Sequence, residues 1–289
     1  MNKFYNYISS LFDSKNIRLI ESDDNLDEAI GLLSKSSEIA VDTEFIWRKT
    51  YYPELSLIQI ADNENIYILD MYKKFNLENL KILFERKNVK KIFHSIRSDI
   101  SVLKHCLNIQ VNNVFDTQMA ENIIEPDNIN QISYKALIKK YYLREISKKE
   151  TNSDWSKRPL DQSQIVYAAN DVRFLINIMK IQSSIIEKKG LKEDLYKTIK
   201  KEKENGEERF FISRLRRLRK NQKNLSNLDE KIFIWRELQA EEKNLPPNNI
   251  VKNSFLPKLA DVIRKGNFQE CMWLIKNDES RESFLSEFK

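Results

Sequence analysis

Between Ile39 and Asp70 the chain sets three short apolar runs, IAVDTEF, LSLIQIA and IYILD, against polar breaks. The runs are rich in the β-branched and aromatic types that fit a pleated sheet. Pro53 and the DNEN stretch separate them, so Ile39–Phe45, Leu55–Ala61 and Ile66–Asp70 are predicted strands of a meander. Helical spacing follows at Leu77–Phe84 and Ser98–Cys106, with a strand at Lys90–Phe93 between them and a short strand ending at Phe115. Beyond it the pattern is helical, over Thr117–Ile123, Ser133–Tyr141 and the long stretch Gln162–Lys188, which Asp161 is placed to cap. Strands alternating with helices predict an α/β domain.

The second half changes character. Residues 195–224 are densely charged, and FISRLRRLRKNQK sets basic residues around Ile212, Leu215 and Leu218 at helical spacing, which predicts an amphipathic linker helix. Its basic run, Arg214 to Lys223, is either a track for RNA phosphates or an ordinary solvated face. Lys231–Glu241, Leu256–Ile263 and Phe268–Lys276 then predict a small helical unit, broken after its first helix by Pro246 and Pro247. A length of 289 residues suits one well-cored domain and a smaller one. The expected division is 1–190, a linker over 191–228, and 229–289.

Composition narrows the function. Hydrophobic residues make up 41% and charged residues 32%, so the chain can bury a core and solvate its surface. No window approaches the roughly 20 apolar residues of a membrane span, and the start MNKFYNYISSLF has no signal-like apolar run, so a cytoplasmic protein is expected. Cys106 and Cys271 stand far apart with no CxxC spacing, and no zinc site is expected. A net charge of +6 and a pI near 9.0 fit a polyanionic partner.

Candidate chemistry lies in the carboxylates. Asp42 and Glu44 stand two apart in a predicted strand and so project to one face of the sheet. Two unpaired carboxylates buried side by side cost several kcal/mol, so they are paired with cations, hydrogen-bonded or solvated at a sheet margin. Tyr167 and Asp171, four residues apart, share one face of a predicted helix. Asp116 reads as a helix N-cap and His94 as a structural imidazole.

Taken in order, VDTEF, RKTYYPELSLIQIAD, FHSIRSDISVLK, VFDTQMA and TNSDWSKRPLDQSQIVYAANDVRFL resemble the ribonuclease D branch of the DEDD exonucleases, over Ile39 to Leu175. The resemblance implies a ribonuclease H-like fold, a mixed sheet flanked by helices. It also implies two divalent cations, Mg²⁺ or Mn²⁺, and removal of nucleoside 5′-monophosphates from RNA 3′ ends. Precursor tRNA and other small stable RNAs are the implied substrates, and a monomer is expected. Asp42, Glu44, Asp99 and Asp171 match the four acids, and Tyr167 matches the tyrosine of the DEDDy subclass. The histidine of the rival DEDDh subclass would stand where this chain has Val166.

Two cations roughly 3.5–4 Å apart stabilise both the attacking and the leaving oxygen of a phosphodiester. On that pattern Asp42 bridges both ions, Glu44 and Asp171 serve the nucleophile side, Asp99 helps the leaving-group side, and Tyr167 orients the attacking water. Arg97, Lys148 and Arg158 are the expected substrate contacts; for Arg158 a local structural role is the alternative, and for Arg97 a side chain that points away from the site. WRELQAEEKNLPPNNIVKNSFLPKLADVI resembles the opening of an HRDC domain, with room for one such unit where the bacterial family generally has two. The competing functions are a DNA 3′-5′ exonuclease and a non-catalytic RNA-binding protein that kept the fold.

Overall fold

The computed structural model describes residues 15–126, 131–146, 150, 152–222 and 224–289. They divide into two compact units, one holding the chain up to Ile46 and Leu55–Glu207, the other Trp47–Glu54 with Glu208–Lys289. Among the described residues no helix is long and apolar enough to cross a membrane.

The first unit is built on six strands, β1 (Asn16–Ile20), β2 (Glu38–Ile46), β3 (Glu54–Ala61), β4 (Asn65–Asp70), β5 (Lys90–Phe93) and β6 (Val114–Asp116), in the order β1-β4-β3-β2-β5-β6. β3 and β4 pair antiparallel, while β1 with β4, β2 with β5, and β5 with β6 pair parallel, so the sheet is mixed. Its helices are α1 (Asp23–Leu33), α2 (Glu78–Glu85), α3 (Arg97–Leu107), α4 (Thr117–Ile124), α5 (Tyr134–Tyr142), α6 (Gln162–Arg173), α7 (Leu175–Lys189) and α8 (Lys192–Glu207). This is the expected α/β architecture, a ribonuclease H-like sheet between helices.

Period-two alternation sorts the sheet's side chains. Ile39 and Val41 of β2, Ile58 and Ile60 of β3, and Tyr67 and Leu69 of β4 pack with α1, α2 and α3 on one face. Ala40, Leu57, Ile66, Ile68 and Ile92 pack with α4, α6 and α7 on the other. Asp42 and Glu44 follow Ala40 on that second face, in the carboxyl half of β2, with Ile46 beyond them packed against the same core.

Several boundaries differ from the sequence reading. β1 and α1, upstream of Ile39, were not predicted; Ser22 caps α1 by accepting the Asn25 N–H at 3.4 Å. The long predicted helix 162–188 is two helices, broken at Phe174 with no glycine or proline to announce it. Residues 191–228 divide as well: α8 belongs to the first unit and α9 (Phe210–Asn221) to the second.

The second unit is all helical, comprising α9, α10 (Asn227–Glu242), α11 (Pro247–Ile250), α12 (Leu256–Lys265), α13 (Cys271–Leu274) and α14 (Asp278–Phe288) around Ile232, Trp235, Leu259, Val262 and Phe284. The excursion Trp47–Glu54 is part of it. Tyr51 is fully buried there, and Asn244 Oδ1 accepts the N–H groups of Tyr51 and Tyr52 at 3.1 and 3.2 Å. The basic run of α9 is answered within this unit, Arg214 by Glu237 at 2.8 Å, Arg216 by Glu208 at 2.9 Å and Arg219 by Glu230 at 2.5 Å.

Candidate active site

α6 lies against β2 and brings Asp171 toward the two strand acids. Oxygens of Asp42, Glu44 and Asp171 all lie within 4.8 Å of one another. Asp99 enters from the first turn of α3, only 5% exposed, and its Oδ1 accepts a hydrogen bond of 2.6 Å from Thr43 Oγ1. Thr43 stands between Asp42 and Glu44 but points to the opposite face of β2, so one strand holds two acids directly and tethers a third. The Tyr167 hydroxyl donates to the Asp171 carboxylate one turn further along α6.

Among the described residues no Lys or Arg forms an ion pair with any of the four acids. Burial, then the charges of Asp99, Asp171 and Glu44, raise the Asp42 pKa well above the carboxylate range. Burial first, with Asp171 and Asp99 adding to it, pushes Glu44 up to about 9. Asp99, buried and offset by the Thr43 bond, reaches about 7, and Asp171, buried and facing Asp99, also about 7. Like charges this close cannot all ionise unless cations join them. The donor set is all oxygen, which suits Mg²⁺ or Mn²⁺ and not a thiophilic ion. Asp42, Glu44 and Asp171 can hold such an ion.

The supporting shell was only partly foreseen. Asp116 caps α4, accepting from Gln118 N at 2.8 Å and Met119 N at 3.1 Å, and also accepts from Ser95 N at 3.2 Å and Ile96 N at 2.8 Å. One buried carboxylate thus anchors both α4 and the turn that launches α3 with Asp99. His94 is structural, its Nδ1 3.0 Å from Thr117 Oγ1. The tether from Thr43 was missed, because a threonine in a strand reads simply as a good β-former.

Two expected substrate contacts are committed elsewhere. Arg158 grips Asp70 with two bonds of 2.7 Å, donates to Trp155 O and Lys157 O at 2.9 Å each and to Ser56 Oγ at 3.1 Å, and lies 4.6 Å over the Tyr72 ring. Its donors are consumed by the fold, and it ties the chain before α6 to β3 and β4. Burial alone would raise the Asp70 pKa, but the Arg158 bond holds it lowered. Arg97 pairs with Glu202 of α8 at 2.6 Å instead of turning to the acids. Lys148 lies outside the described residues.

The profile of a 3′-5′ exonuclease family matches residues 17–187. Ribonuclease D of Desulfotalea psychrophila is 30% identical over 262 residues, covering 86% of this chain and 67% of the relative. The chain belongs to the ribonuclease D family. Ribonuclease D of Bartonella henselae is 28% identical over 249 residues, covering 84% of this chain and 61% of its own length. In structure the chain is similar to Escherichia coli RNase D, described as an exoribonuclease involved in structured RNA processing. The TM-score is 0.78 at 25% identity, covering 86% of this chain and 67% of that one. The chain therefore spans about two thirds or less of these ribonuclease D lengths.

Replacing Arg158 by methionine should leave Asp70 buried without its cation and cost about 2–4 kcal/mol in urea unfolding. RNA affinity of the folded fraction should stay unchanged; a weakened affinity without lost stability would restore Arg158 as a substrate contact. The acids give a second expectation. Their native pKa values lie above the roughly 4 of an unfolded carboxyl, so from about pH 4 to about pH 9 the metal-free native protein holds protons the unfolded chain has released. Its stability therefore falls as pH rises through that window. In EDTA the melting temperature should be lower at about pH 8.5 than at about pH 5.5, and Mg²⁺ should recover the difference. Asp42→Asn should raise the EDTA value at the higher pH, by roughly 2–4 °C per kcal/mol of repulsion relieved, and lose the Mg²⁺ response.

Proposed function

We propose that the chain is a metal-dependent 3′-5′ exoribonuclease that hydrolyses the terminal phosphodiester of RNA and releases nucleoside 5′-monophosphates. What carries the reading is the convergence of Asp42, Glu44 and Asp171, with Asp99 tethered beside them, where no lysine or arginine among the described residues pairs with them. Kinship with ribonuclease D supports RNA as the polymer, and trimming of precursor tRNA or other small stable RNAs is the substrate class proposed. A monomer working in the cytoplasm goes with that reading.

Divalent cations in this site supply charge neutralisation of the attacking and leaving oxygens and lower the pKa of a bound water. The chain's own residues do the positioning. Asp42, Glu44 and Asp171 present their oxygens from two rigid elements, a strand and a helix. Asp99 is held by Thr43 and by the start of α3, where the helix dipole favours its negative form. Tyr167 fixes the rotamer of Asp171 by donating its hydroxyl proton, and the phenolic oxygen, left free to accept, orients the attacking water. A phenol is a poor base near neutral pH, so its part is orientation.

The test is a stepwise degradation assay on 5′-labelled RNA and on DNA of the same sequence. Wild type should shorten RNA one nucleotide at a time from the 3′ end in Mg²⁺ and stop in EDTA, and Asp42→Ala should lose at least about a thousandfold in kcat. Equal or faster cleavage of DNA would move the assignment to a DNA exonuclease, and binding without cleavage would leave a non-catalytic RNA-binding protein. Tyr167→Phe should lower kcat by about a hundredfold while RNA binding is retained. Full activity in that variant would remove Tyr167 from the mechanism.

A further inference from the structure

The polypeptide that carries Tyr167 and Asp171 does not continue as one helix: α6 ends at Arg173 and α7 begins at Leu175. At that break the side chain of Tyr134, from α5, stands inside the backbone ladder. Its hydroxyl donates to the Asn170 carbonyl at 3.1 Å and accepts the Phe174 N–H at 3.3 Å. In an unbroken helix those two backbone groups, four residues apart, would bond each other. A side chain inserted there opens the turn and is a recognised cause of a kink.

The phenol is well held. Its ring lies 5.4 Å from the His94 ring, tilted by 49°. It also packs against the small core of Leu137, Ile138, Phe174 and Ile178. Burial first, and then the neighbouring charges of Asp171 and Asp42, raise its pKa well above the ordinary range. The hydroxyl therefore keeps its proton and always has a donor for Asn170. Asn170 is the residue before Asp171, and Arg173 Nε donates to its side chain at 3.0 Å. The opened turn is thus the one that aims the last acid.

We propose that Tyr134 is a positioning residue of the metal centre: its hydroxyl, bridging Asn170 and Phe174, holds the last turn of α6 open and so sets where the Asp171 carboxylate meets Asp42 and Glu44. The inference rests on the metal-centre reading above. Tyr134 touches neither metal nor RNA in this account; it acts through the backbone of α6. Removing only its oxygen takes away the bridge between the Asn170 carbonyl and the Phe174 N–H, which lets the turn draw together and shifts Asp171.

The experiment is calorimetric titration of Mn²⁺ into wild type and Tyr134→Phe, alongside kcat and KM for RNA as Mg²⁺ is varied. Tyr134→Phe keeps the ring. It should fold and bind Mn²⁺ about tenfold more weakly, as is usual when a supporting group behind a metal ligand is lost. It should need correspondingly more Mg²⁺ for half-maximal kcat, with KM for RNA unchanged and kcat recovered at high Mg²⁺. Placing 4-aminophenylalanine at position 134 restores a donor to Asn170 and should recover most of the affinity. A folded Tyr134→Phe with wild-type Mn²⁺ affinity and Mg²⁺ dependence overturns the proposal, as does a variant that unfolds and is not rescued by the amino analogue. Wild type that binds Mn²⁺ but degrades no RNA would refute the nuclease reading alone, since the Mn²⁺ comparison still decides the role of Tyr134. Wild type that binds no Mn²⁺ would overturn both.

Discussion

Four carboxylates meet at the carboxyl end of β2, and among the described residues no lysine or arginine is paired with them. Their mutual repulsion and burial are the constraint on which the rest of the nuclease unit depends. The acids come from a strand, from the first turn of α3 and from α6, so only the completed fold can force them together. Every element that holds them works against that repulsion: Thr43 across the strand, Asp116 at the roots of α3 and α4, and Arg158 clamped on Asp70 ahead of α6. A site strained in this way is relieved by divalent cations, which converts an electrostatic liability into affinity for the ions that phosphodiester chemistry requires.

Much of this was legible along the chain because it follows from local periodicity. The two-residue spacing of Asp42 and Glu44 places both on one sheet face, and the four-residue spacing of Tyr167 and Asp171 places both on one helix face. Their convergence was not contained in either spacing; it came from the ordered set of motifs that resembles ribonuclease D. Burial patterns in β2 to β5 also followed the apolar runs. The strand β1 escaped because NIRLI is short and half polar.

What the sequence hid is tertiary in origin. Nothing near Phe174 marks a helix break, because the group in the ladder comes from Tyr134, forty residues earlier. Arg158 looked available to a phosphate because its partner Asp70 stands far away in sequence, and Arg97 likewise finds Glu202 on a distant helix. The basic run of α9 looked like an RNA track, yet Arg214, Arg216 and Arg219 each face a glutamate of the helical unit. The more exposed pairs, Arg216 with Glu208 and Arg219 with Glu230, contribute little to stability individually. They do reduce the positive charge left over for a polyanion, so net charge alone overstated what that segment offers.

If these acids form a two-ion centre, anomalous diffraction from crystals soaked in Mn²⁺ will show it. Two peaks are expected, one contacted by Asp42, Glu44 and Asp171 and the other by Asp42 and Asp99. A soaked crystal with no manganese among these side chains, or with its only ions elsewhere on the molecule, would contradict it.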